Sequence, residues 1–156
     1  MNDIREQETT PIMEPLTTEM ILELWSLTYN RDGKPDWSHL FPYYSDDIIF
    51  EDSIQRIEGK QEFIALCYRL SNRCEQLHMD LSCIVMDAHT VFFQWKMLMM
   101  FKKWPSTPLY GCTKLTIGED NRIIEQRDYF DLWGTILNGI PYLRKSYWKF
   151  MHRYFG

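Results

Sequence analysis

LYGCTKLTIGEDNRIIEQRDYFD, residues 109–131, decides the fold. Its first nine residues alternate, with Thr113, Leu115 and Ile117 on one side and Lys114 and Thr116 on the other. That period of two is the signature of a half-buried strand. GEDN is a hairpin turn, and RIIEQRDYF (122–130) returns as a second strand. On that return strand alternation groups Ile124, Gln126, Asp128 and Phe130, leaving Ile123, Glu125, Arg127 and Tyr129 opposite.

Reading outward, two more strands precede the hairpin. LHMDLSCIVM (77–86) alternates, DAHT turns, and TVFFQWKMLMMF (90–101) is a long β-type run; KKWPSTP is a loop. The first half is helical instead. Thr17 or Thr18 caps a helix to about Asn30, with apolar positions Met20, Ile21, Leu24, Trp25 and Leu27. RDGKP ends it, and Asp36 caps a short helix through Phe41. DDIIFED (46–52) is a first strand. A second helix, about Lys60 to Glu75, buries Phe63, Leu66, Cys67 and Leu70. Helices followed by a strand meander define an α+β fold. The expected architecture is a cone: a curved antiparallel sheet wrapped around the N-terminal helices, with an apolar interior and one open mouth. Mouths of this kind favour ligands. A C-terminal amphipathic helix completes it.

Composition bounds the rest. A chain of 156 residues, 45% hydrophobic, suffices for one domain with its own core. The net charge of −5 lacks the basic footprint of a nucleic-acid binder. Cys67, Cys74, Cys83 and Cys112 form no CxxC pair, and His39, His78, His89 and His152 are scattered. Free thiols are expected, with no metal site and no cofactor; neither G-x-G-x-x-G nor a P-loop occurs. The polar N-terminus has no apolar leader and no run spans a bilayer, which gives a cytoplasmic expectation. The expected organisation is a flexible tail over residues 1–15, the cone over 16–140 and a basic helix over 141–156.

YYSDDIIFEDSIQRIEGKQEF (43–63) and LTIGEDNRIIEQRDYFD (115–131) resemble the strand–loop–helix and final hairpin of the nuclear-transport-factor-2-like superfamily. The resemblance spans about residues 17–134, and its nearest branch is SnoaL-like and limonene-epoxide-hydrolase-like. It implies that Asp128 occupies the hydrolase's last-strand aspartate position and points into the cone. The hydrolase's arginine and second aspartate fall on Trp95 and Met97, with Lys96 between them. Its water-holding tyrosine and asparagine fall on Phe50 and Asp52. The hydrolase set is thus incomplete, and epoxide opening by that mechanism is not expected.

The candidate catalytic residues are therefore Asp128 and Asp52; a carboxyl in an apolar cone either finds partners or keeps its proton. The candidate ligand wall is Phe50, Phe93, Trp95, Met97, Leu115 and Phe130. Asp131 reads as a helix cap and Glu51 as outward. The function expected is binding of a small apolar molecule. Two alternatives stand beside it: an acid/base isomerase or cyclase using Asp128, and a non-catalytic interaction module. A homodimer would form through the open sheet face, around Phe92, Gln94, Lys96, Tyr110 and Lys114.

PYLRKSYWKFMHRYFG (141–156) carries +4 from Arg144, Lys145, Lys149 and Arg153. The chain totals −5, so the remainder carries −9. The favoured expectation is a helix docked on the domain or at a dimer interface; docked on the domain, it would bury Tyr147, Phe150 and Tyr154. Peripheral membrane contact through the same segment is the less favoured one.

Overall fold

The computed structural model describes residues 13–29, 33–101, 108–136 and 140–156. Of the loop expected over 102–108, residues 102–107 lie outside the described residues, as does most of the N-terminal tail, while Pro108 opens a strand. Helix α1 is Thr18–Tyr29, and Thr17 Oγ1 caps it by accepting the Met20 N–H. Ile21 and Trp25 are its buried positions, whereas Leu27 is exposed. A short 3-10 helix, Ser38–Tyr43, follows, with the Ser38 N–H donated to Asp36. The His39 ring ties it back to α1 at the Leu24 carbonyl, 2.8 Å away.

Six strands form one sheet: β1 Tyr44–Glu51, β2 Arg56–Glu58, β3 Cys74–Asp87, β4 Thr90–Phe101, β5 Pro108–Ile117 and β6 Ile123–Phe130. Helix α2, Lys60–Arg73, sits between β2 and β3. The spatial order is β2-β1-β6-β5-β4-β3. Every pairing is antiparallel except one: β1 runs parallel to β6. The meander β3 to β6 matches the sequence reading. The parallel closure does not follow from alternation, because β1 reaches β6 only through tertiary packing.

The shape follows from where α2 lies. It packs against β1, but also against β2 and β3, the two edges of the sheet. Laid flat, those edges would stand about 24 Å apart at the usual strand spacing, more than the roughly 21 Å length of this 14-residue helix. The sheet therefore curls around α2 without closing. Phe63 on α2 packs against Tyr44 and Phe50, with ring centroids 4.7 and 5.4 Å away. On α1, Trp25 meets Phe93 of β4 edge-on at 5.6 Å. Aromatic pairs in such tilted and edge-on geometries add to the burial of their own area.

Two sequence expectations need correction. On β6, Ile123 is fully buried and Ile124 exposed, the reverse of simple alternation. The register slips between Thr116 and Ile117, so an extra residue is accommodated and the face inverts at that point. In addition, residues 56–58 form a strand, β2, where only a loop was expected.

Helix α3, Pro141–Tyr154, forms as expected. It does not bury its aromatic side. Phe150 is 54% and Tyr154 63% exposed, so the docking expected for them is not met. Tyr147 is half-buried and stacks on Trp133, centroids 6.3 Å apart. Asp131 caps the intervening turn, Leu132–Ile136, by accepting the Trp133 and Gly134 N–H groups. At the other end, Met13 and Asp120–Asn121 exchange hydrogen bonds, pinning the entry to α1 onto the β5–β6 turn. No described helix is long and apolar enough to cross a membrane. All four cysteines are free.

Candidate functional site

Between α2 and the concave face of the sheet lies a cavity of about 420 Å³. That is within the range of small-molecule sites. Its walls are Phe50 from β1, Phe63, Leu66, Cys67 and Leu70 from α2, Trp95, Met97 and Met99 from β4, and Phe130 from β6. These residues line it for a simple reason. Positions 95, 97 and 99 of β4 share one side of the pleat, and α2 turns its 63, 66, 67 and 70 stripe towards them.

Asp128 lines the same cavity. It stands opposite Thr113 in the β5–β6 register. The Thr113 hydroxyl donates to Asp128 Oδ1 at 2.6 Å and in turn accepts the Trp95 indole N–H at 2.9 Å. From the other side, Gln126 Nε2 approaches both carboxyl oxygens, at 3.2 and 3.3 Å. The Tyr44 hydroxyl donates to Gln126 Oε1 at 2.6 Å, which turns the amide so that its NH₂ faces Asp128. Two relays, Trp95–Thr113 and Tyr44–Gln126, therefore converge on one carboxyl.

Burial pushes the Asp128 carboxyl up from 3.8 to about 6. The Thr113 and Gln126 hydrogen bonds pull it down, and the nearby Asp52 charge adds to the rise. Burial wins because two donors do not replace full hydration of a carboxylate. The Cys67 thiol, on the α2 side of the cavity, is pushed to about 12, chiefly by burial. It stays protonated and is no nucleophile.

Asp52 also lines the cavity, but its Oδ1 accepts the Ile54 and Gln55 N–H groups at 2.7 and 2.9 Å. It closes the β1–β2 turn. Of the expected wall, Phe50, Trp95, Met97 and Phe130 line the cavity. Phe93 and Leu115 do not: both are buried in the closed core, Phe93 against Trp25. They share parity with Trp95 and Thr113 but lie nearer the end of the sheet that α1 seals. Where the resemblance put an arginine and a second aspartate, Trp95 and Met97 stand, and Lys96 is exposed on the outer face. The hydrolase's arginine and second aspartate are therefore missing from this strand.

Tyr44, Thr113 and Gln126 were not singled out as site residues. The signal existed for two of them: Thr113 and Gln126 are polar residues at inward parity. Tyr44 gives none, since it precedes the apolar run DDIIFED that marks the strand.

The curled sheet with its helix-lined concave side is the nuclear-transport-factor-2-like fold. The chain belongs to the SnoaL-like domain family, which matches residues 28–126. No curated protein sequence matches the chain. Among solved structures, an LEH-like epoxide hydrolase from M. tuberculosis is 20% identical, with a TM-score of 0.61, over 81% of this chain and 89% of that one. A candidate SnoaL-like polyketide cyclase from Shewanella denitrificans is 18% identical, with a TM-score of 0.63, over 78% and 93%. A candidate isomerase of the SnoaL-like family from Agrobacterium tumefaciens is 14% identical, with a TM-score of 0.57, over 72% and 96%. At these identities the likeness is one of fold.

Proposed function

We propose that the protein binds a small apolar molecule in the cavity and that Asp128 moves a proton on it. The observation that carries this reading is a carboxyl of pKa about 6 at the wall of a mostly apolar cavity. A general base works best when its pKa lies near the working pH. In the reaction, the Asp128 carboxylate takes a proton from carbon next to a carbonyl. The electron pair moves onto the carbonyl oxygen. The carboxylic acid then returns the proton to another carbon, which isomerises the molecule, or to an oxygen formed when the enolate closes a ring. No oxidant or cofactor is needed for this balance. The cyclase and isomerase names of the structural neighbours agree with this chemistry.

Thr113, Gln126, Tyr44 and Trp95 spend their donors within the network. The site thus supplies a held base rather than a cluster of free donors for an oxyanion. The test is solvent exchange. A long-chain 3-oxo ester in D₂O should take up deuterium at C2 faster with protein than in buffer. The rate should rise as pH passes about 6, where Asp128 loses its proton. Asp128→Asn should slow it by about 10²–10⁴-fold. Binding without exchange above buffer would leave a binding protein and remove the catalytic role.

A further inference from the structure

Two cavity-lining residues have no place in the proton-transfer network. Arg69 and Arg73 lie one turn apart on α2, on the side that also carries Leu66 and Leu70, and both line the cavity while remaining exposed. Together with exposed Ile54 they mark its mouth. Among the described residues neither arginine forms an ion pair. The surroundings would have allowed one, since the chain is acidic overall at −5. The cavity's two acids are engaged elsewhere: Asp128 with Thr113 and Gln126, Asp52 with the turn amides. Like charges four residues apart on a helix repel slightly. Arg73, in the last turn, complements the helix dipole. That accounts for one positive charge near the helix end, and it does not account for two guanidinium groups facing one apolar opening.

Resting on the reading that the cavity binds an apolar molecule, we propose that its ligand is amphiphilic. It carries one anionic head group, a carboxylate in the simplest case, held at the mouth by Arg69 and Arg73, with its apolar body against Phe50, Leu70 and Met97. A guanidinium matches a carboxylate bidentately and is less strongly hydrated than an ammonium. Two of them on one turn suit an anion better than any neutral polar group.

The experiment compares decanoate with 1-decanol, which share the chain and differ in the head. Trp25, Trp37 and Trp95 line the cavity, so intrinsic fluorescence reports occupancy. At pH 8 the intact protein should bind decanoate at least about tenfold more tightly than decanol, the scale of one charge-assisted contact. The R69Q/R73Q variant should erase that preference and leave decanol binding unchanged. K145Q/K149Q, on the exposed basic helix, should leave the preference intact. Equal affinities in the intact protein would overturn the proposal. So would a preference that survives R69Q/R73Q or falls with K145Q/K149Q. Failure of both molecules to bind would overturn the cavity reading itself, which is a distinct outcome from equal binding.

Discussion

Asp128 receives donors from Thr113 and Gln126 and still sits well above the ordinary carboxylate range. The consequence for stability has a definite sign. Below pH 3.8 both folded and unfolded chains hold this proton, and no penalty exists. Between 3.8 and about 6 the unfolded chain releases it first, so stability falls as pH rises. Above about 6 the penalty is constant, at most roughly 3 kcal/mol. Asp128→Asn removes the titration and keeps Oδ1 as acceptor for Thr113 and Gln126, giving up only the longer 3.3 Å contact from Gln126 to Oδ2. The variant is therefore expected to melt at or above the parent temperature at pH 8, with the difference vanishing near pH 4. A variant less stable at pH 8, with no dependence on pH, would show that the carboxylate is needed for structure. Alternation along β6 groups Asp128 with Gln126 and Phe130, and the family resemblance is what turns that face inward. The partners of Asp128 were not legible, because Thr113 meets it across the β5–β6 register and Tyr44 reaches Gln126 from β1. Such contacts belong to the fold and have no local signature.

Among the elements, β5 shows how a single small residue sets the site. Gly111 faces Trp95 in the β4–β5 ladder. A Cβ there would lie 2.5 Å from the indole carbons and 2.5 Å from the Tyr129 carbonyl oxygen. Gly111→Ala should cost about 1–3 kcal/mol, as overpacking does. It should also push the indole off Thr113, shifting tryptophan emission; an unchanged melting temperature would contradict this. The C-terminal element leads to the opposite expectation. With Tyr142, Phe150, Tyr154 and Phe155 all more than half exposed, α3 contributes little burial to the domain. Deleting residues 141–156 should change the melting temperature of the remainder by only a degree or two, within the roughly 0.5 kcal/mol typical of changes away from the core. A loss of several kcal/mol would mean that the helix docks after all. Amphipathic spacing predicted the helix correctly, and the burial of Phe150 and Tyr154 against the domain is not met. A periodic apolar side identifies a surface able to pack without naming what it packs on. The three-residue strand β2 escaped notice because so short a run has no readable period.

At the scale of the molecule, the cone exists because a six-stranded sheet curls until both of its edges touch one helix. Long alternating strands and two striped helices made that class of fold readable. The hollow could not be read, because parity says which side chains point inward and is silent on where they stop meeting. Phe93 and Leu115 fill the sealed end, while Trp95, Met97 and Phe130 border space. The central claim is that this space is a ligand site. Native mass spectrometry of the freshly purified protein, beside a Met97→Trp variant whose larger side chain fills the cavity, tests it most directly. The account predicts a bound species of a few hundred daltons on the 18.9 kDa chain, absent from the variant although it folds. The bare chain mass in both, with no uptake of an added apolar molecule by either, would contradict it.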